Sequence, residues 1–116
     1  MNIDLIAKLK SKEDFFTAYK EGDEEEEYMG RSLIYYSLAN HDLQARYEIS
    51  IFLLNRNIDL STYLRDKYTP LHVLLGQRQH NLQQTIELCK VLINRGVDVN
   101  FLDRNNESAL IHIINM

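Results

Sequence analysis

The chain has 116 residues, with 13 lysines and arginines against 17 aspartates and glutamates, a formal charge of −4 and 45% hydrophobic residues. That is the size and balance of one ordinary domain with its own core. It holds no apolar run of the roughly 18 residues that would span a membrane, and its mild acidity gives no broad basic face for nucleic acid. One cysteine, Cys89, excludes an intramolecular disulfide and fits a reducing, cytoplasmic setting.

Ile3, Leu5, Ile6 and Leu9 predict a short amphipathic helix, and Asp4, Lys8 and Lys10 break up the apolar core that a signal peptide needs. Ser11, with Asp14 three residues on, is a capping-box variant that starts a second helix, buried through Phe15, Phe16, Ala18 and Tyr19 and ended by Gly22. We read residues 1–22 as a helical cap over the first pair of later helices; the competing reading opens a degenerate repeat at Gly22 and Asp23. Asp23 to Glu27 are five consecutive acids. Such a run reads as a solvated loop, because like charges oppose compaction, or else as a face for a basic partner. Without the alternate spacing and glycine of a calcium loop it has no geometry for a cation.

Gly30, Arg31, Ser32, Leu33, Ile34 and Tyr35 begin a helix that runs to about Asn40, and Asp42 caps a second one carrying Leu43, Tyr47, Ile49, Phe52, Leu53 and Leu54. The pattern then returns. Thr69 can cap a helix whose first turn holds Pro70, where a missing N–H costs nothing. Asn81 and Gln84 open the partner helix of Leu88, Cys89, Val91, Leu92 and Ile93, and Gly96 stops it in a left-handed cap. Sliding the chain by 39 residues lays Leu43 to Gln77 onto Leu82 to Met116 without a gap, matching Leu53 to Leu92, Asn55 to Asn94, Arg56 to Arg95, Asp59 to Asp98 and Leu71 to Leu110. Self-similarity at a fixed offset is the mark of a stacked-repeat architecture.

Thr69, Pro70, Leu71 and His72, a second helix, then Gly96, Val97, Asp98, Val99 and Asn100 together resemble the ankyrin repeat. The resemblance implies an all-α, ankyrin-type solenoid of helix-turn-helix repeats joined by hairpin-like loops. On that plan residues 1–22 are the cap, 23–29 an acidic loop, 30–66 and 67–105 two repeats, and 106–116 the first helix of an incomplete third. An ankyrin unit is about 33 residues long; the surplus here falls around Gly76 to Asn81. The resemblance also implies that the imidazole of His72 and the hydroxyl of Thr69 tie neighbouring turns.

Carried over position by position, the family's usual contact sites fall on Tyr28, Met29 and Arg31, on Arg65, Asp66 and Tyr68, and on Arg104, Asn105 and Glu107, with Asn40 and Gln77 at helix ends. Lys67 and Asn106 stand where the family has a turn glycine. The implied function is protein binding by loop tips and a concave helix face, without catalysis, nucleic acid or membrane. Small acidic proteins of this design resemble bacterial immunity or antitoxin partners that cover a basic toxin surface. The alternative is an architectural segment of a larger solenoid.

The residues that invite chemistry have plain structural readings. His41 and His80 occupy equivalent places before helix caps and form half a metal site at best, since zinc takes four ligands, or three and a water. Cys89 aligns with Ser50, a position for a small side chain. No phosphate loop, nucleophile elbow or Cys-x-x-Cys pair occurs, so no cofactor, metal or catalytic residue is assigned. Ser108, Ala109 and Leu110 restart the repeat pattern, and Leu110 to Met116, including His112, read as a helix whose apolar side needs a cover. A longer chain or a second copy meeting end to end supplies one.

Overall fold

A computed structural model describes residues 1–111, in which the chain is all-helical: seven α-helices occur among the described residues, and no strand. They are α1 (Ile3–Leu9), α2 (Lys12–Ala18), α3 (Leu33–Ser37), α4 (Leu43–Leu54), α5 (Tyr63–Asp66), α6 (Pro70–Leu75) and α7 (Leu82–Asn94). The caps are those the sequence offers. Ser11 Oγ accepts from the Asp14 N–H at 3.1 Å, Asp42 Oδ1 from Gln44 and Ala45 at 3.0 and 3.1 Å, and Asn81 Oδ1 from Gln84 at 3.1 Å. At α6, Thr69 Oγ1 accepts from the His72 N–H at 3.1 Å, while His72 Nδ1 accepts from the Thr69 N–H at 3.4 Å, with Pro70 in the first turn.

The helices work in pairs. α1 and α2 pack together, as do α3 with α4 and α6 with α7; α1 lies on α3, α2 on α4, α3 on α6 and α4 on α7. The core runs down the pairs through Ala7, Phe15, Leu33, Ile34, Leu38, Ile49, Leu53, Leu71, Leu74, Leu88 and Leu92 to Ala109. Each large side chain removed from water in this way stabilises the fold by roughly 1.5–3 kcal/mol. Equivalent positions differ in exposure: Leu54 is 4% exposed, whereas Ile93, 39 residues on, is 44% exposed.

Several sequence expectations need correction. α2 ends at Ala18, because Tyr19 turns extended, and Gly22 (φ 98°) instead opens a short 3-10 turn at Asp23–Glu25. The acidic run is therefore not a free loop: Glu24 is 5% exposed and accepts from the Tyr19 hydroxyl and from the Gly22 N–H. The connection from α4 to α6 carries the one-turn helix α5 rather than a hairpin. Gly96 does take a left-handed cap (φ 100°), with the Val97 N–H reaching back to the Leu92 carbonyl at 3.1 Å. Its counterpart Asn57 is not among the residues of positive φ, so the two equivalent helix ends close differently. The Ile111 N–H donates to the Ser108 carbonyl at 3.1 Å; the rest of the expected last helix, His112 to Met116, lies outside the described residues.

Candidate binding surface at the loop tips

Three tips line up along the edge where one helix pair hands over to the next. In the first, Tyr28 and Arg31 exchange backbone hydrogen bonds of 2.7 and 3.1 Å around Met29 (φ 54°) and Gly30 (φ 81°). Two successive positive φ values are the signature of a type I′ turn, and they leave Met29 93% exposed at its apex. In the second tip α5 closes on Lys67 (φ 59°), whose N–H donates to the Tyr63 carbonyl at 2.7 Å. In the third, Asp103 Oδ1 accepts from the Asn105 and Glu107 N–H groups at 2.8 and 3.0 Å, and Asn106 takes φ 60°. The left-handed conformation therefore recurs at Gly30, Lys67 and Asn106, although only the first is glycine. A left-handed backbone costs roughly 1–2 kcal/mol at an L-residue other than Asn or Asp, so the turn shape is being held against residue preference at Lys67.

Polar ties lock each tip to the next. Arg31 Nε bonds Asp66 Oδ2 at 2.7 Å, and Arg65 Nη2 reaches Glu27 Oε2 at 2.8 Å. The Arg31 guanidinium also lies over two rings, 5.4 Å from the centre of Tyr35 and 5.1 Å from that of Tyr68. His72, 1% exposed, links the second tip to the third: Nε2 donates to the Glu107 carbonyl at 2.9 Å while Nδ1 faces the Thr69 hydroxyl at 2.8 Å. Burial pushes the Tyr68 hydroxyl above its ordinary pKa and Tyr28 up to about 12, so both are phenols, not phenolates, at neutral pH. The hydrogen bond from Arg65 to Glu27 keeps that guanidinium firmly charged.

Arg31, Asp66, Lys67, Tyr68, Asp103, Arg104 and Asn105 line one groove of about 350 Å³. Five of the positions named from the resemblance thus meet in one place, and Met29, Arg65 and Glu107 are exposed on the same three tips. Tyr28 anchors the first tip from beneath, its hydroxyl donating to the Asp23 carbonyl at 3.0 Å. Two named positions do not belong. Asn40 is 2% exposed and its side-chain amide donates to the Ala7 and Lys10 carbonyls at 2.9 Å, so it fastens α1 to the second pair instead of facing a partner. Gln77 lies at the far end of α6, donating to the Val73 carbonyl. Sequence reasoning missed Asp103 as a groove residue and Leu64, 65% exposed beside Arg65; the signal for Leu64 was a large apolar residue inside a polar loop.

Among the described residues no three His, Cys, Asp or Glu side chains gather into a metal site. His80 is committed, bonding the Gln77 carbonyl at 2.8 Å and Thr85 Oγ1 at 2.9 Å. Burial raises the Cys89 thiol to about 11, which makes it a poor nucleophile. Among the described residues no helix is long and apolar enough to cross a membrane.

No family model matches the chain, and no curated protein matches it. Among solved structures, a functionally unknown protein from Leptotrichia buccalis C-1013-b is similar, with a TM-score of 0.83 and 25% identity over 98% of this chain. The chain spans 63% of the length of that protein.

Proposed function

We propose that the chain is a non-catalytic, ankyrin-type repeat module that binds another protein through its loop tips and the groove between them. The observation that carries this is the groove itself: a surface of Arg31, Asp66, Tyr68 and Arg104, tied across by the Arg31–Asp66 ion pair, on tips that also expose Met29 and Leu64. Aromatic residues, arginine and methionine are the types enriched where proteins meet, and a surface already held in shape loses little entropy on binding. The stacked helix pairs, the recurrent left-handed turn positions and the link from His72 to the next tip support the ankyrin reading of the fold.

The partner in this reading is basic. Glu25 and Glu26 stand exposed beside the first tip, and exposed acids at an interface edge accelerate encounter with a positive surface. An immunity-type role, covering a toxin's basic working surface in the cytoplasm, is the narrower form of the proposal. The test starts from a partner captured by crosslinking in cells and then purified. Met29→Ala with Arg104→Ala, both exposed positions, is expected to weaken its binding while leaving the thermal transition unchanged. Affinity is also expected to fall as salt rises. Undiminished binding by the double variant would remove the loop tips from the interface, and an architectural segment would then be the better reading.

A further inference from the structure

At the C-terminal end of α6, the opposite end of that helix from the loop tips, His41, Arg46, Gly76, Gln77, Arg78 and Gln79 line a second cleft, of about 550 Å³. Its anchor is Arg46, which sits in α4 at 3% exposure and has no carboxylate partner among the described residues. Burial without a counter-ion disfavours a charge, and arginine is seldom fully buried unless paired. Arg46 Nε donates to the Asn40 carbonyl at 2.9 Å and Nη1 to the Gln79 carbonyl at 2.7 Å. A guanidinium carries five N–H donors, and these bonds use two of them. One donor on Nη1 and the pair on Nη2 make no bond among the described residues, and free guanidinium donors of this kind are what an oxyanion accepts in bidentate fashion.

The structural task of Arg46 does not require its charge. Thr85 lies 39 residues further on, at the same place in α7, and there a neutral arrangement does the tethering: His80 bonds Thr85 Oγ1 at 2.9 Å and the Gln77 carbonyl at 2.8 Å. The surroundings of Arg46 add positive charge instead of cancelling it. Arg78 is exposed on the cleft, and Lys8 and Lys10 line an adjoining cleft that shares His41. The acid in these linings is Asp42, whose Oδ1 is committed to the first N–H groups of α4. A chain of net negative charge thus concentrates cations at one end of its helices, around a buried guanidinium with donors to spare.

We propose that this cleft is an oxyanion-binding site, taking the phosphate or carboxylate group of a small ligand, with Arg46 supplying the donors and Arg78 closing over it. The site is separate from the loop-tip surface and stands whether or not that surface binds a protein.

The test is a nuclear magnetic resonance titration of the full, isotope-labelled chain with inorganic phosphate, and separately with acetate, at ionic strength held constant by chloride. Saturable shifts are expected at the amides of 76–79 and at the Arg46 side chain, and whichever ion saturates first identifies the class of group. Arg78→Ala, at an exposed position, is expected to weaken binding about tenfold with an unchanged thermal midpoint. Arg46→Lys removes the guanidinium and is expected to weaken it further; if that variant fails to fold, Arg78→Ala and His41→Ala still decide the matter. Shifts that neither ion saturates, or saturable binding that Arg78→Ala and His41→Ala leave unchanged, would overturn the proposal.

Discussion

Arg31 and Asp66 stand 35 residues apart in the chain and meet at 2.7 Å, with the Arg31 guanidinium held over the Tyr68 ring at the same time. One side chain thereby fixes two successive tips. The ion pair is partly exposed, so it contributes ~0–1 kcal/mol, and the stack about as much again. We expect Arg31→Ala to lower unfolding stability by about 1 kcal/mol in urea denaturation. A double-mutant cycle with Asp66→Asn is expected to show a coupling of roughly 0.5 kcal/mol or more; a coupling of zero would mean that the pair does not hold the tips together.

Lys67 has φ 59°, a conformation that favours glycine, and its side chain is exposed. Lys67→Gly is therefore expected to be neutral or to stabilise by about 0.5–1 kcal/mol. Gly96→Val, at φ 100°, is expected to destabilise by more than that gain. Asn57→Gly brings no such benefit, since Asn57 is not left-handed, and is expected to cost a few tenths of a kcal/mol through chain entropy. Equal midpoints for Lys67→Gly and Asn57→Gly in chemical denaturation would contradict this assignment of turn strain.

Leu92 is fully buried, whereas its neighbour Ile93 is 44% exposed. Leu92→Ala is expected to cost roughly 2–5 kcal/mol, a large part of a small domain's stability. Ile93→Ala is expected to change stability far less. Similar losses in the two variants would show that the exposed side of α7 is covered in solution.

His80 supplies a pH dependence. Burial, opposed by the Gln77 carbonyl and aided by the Arg46 charge, lowers its pKa from the 6.5 of an unperturbed imidazole. The unfolded chain then takes up the proton first, so the contribution is complete above about pH 6.5 and is lost as pH falls from there through the folded value. His80→Gln is expected to flatten the fall of thermal midpoint over that range. The same slope in both proteins would assign it to other groups.

The helices were legible because their signals are local: Ser11, Asp42, Thr69 and Asn81 each cap the helix that they precede. The 39-residue offset likewise showed which helices would be equivalent. What stayed hidden depends on partners far along the chain. Glu24 reads as one acid among five, and only the approach of the Tyr19 hydroxyl and the Gly22 N–H draws it inside. Asn40 reads as a surface residue at a helix end, yet the carbonyls at the end of α1 claim its amide. Arg46 gave one faint sign, a charged residue whose repeat counterpart, Thr85, is neutral. The loop-tip groove was half visible, since family positions put Arg31, Tyr68 and Arg104 on neighbouring turns but could not reveal that Arg31 spends its charge on Asp66.

The ties between successive helix pairs have nearly one length along the chain. Lys12 to Glu48, Arg65 to Glu27, His72 to Glu107 and Arg95 to the Leu54 carbonyl close loops of 36, 38, 35 and 41 residues. Because closure entropy grows only with the logarithm of loop length, each of these steps carries almost the same entropic cost. Assembly then resembles a zipper with equal teeth: whichever pair forms first presents its neighbour with a ready surface at a fixed, modest distance. Amide protons are accordingly expected to exchange in blocks matching the helix pairs, fastest at the ends and slowest in α4, which packs against helices on both sides.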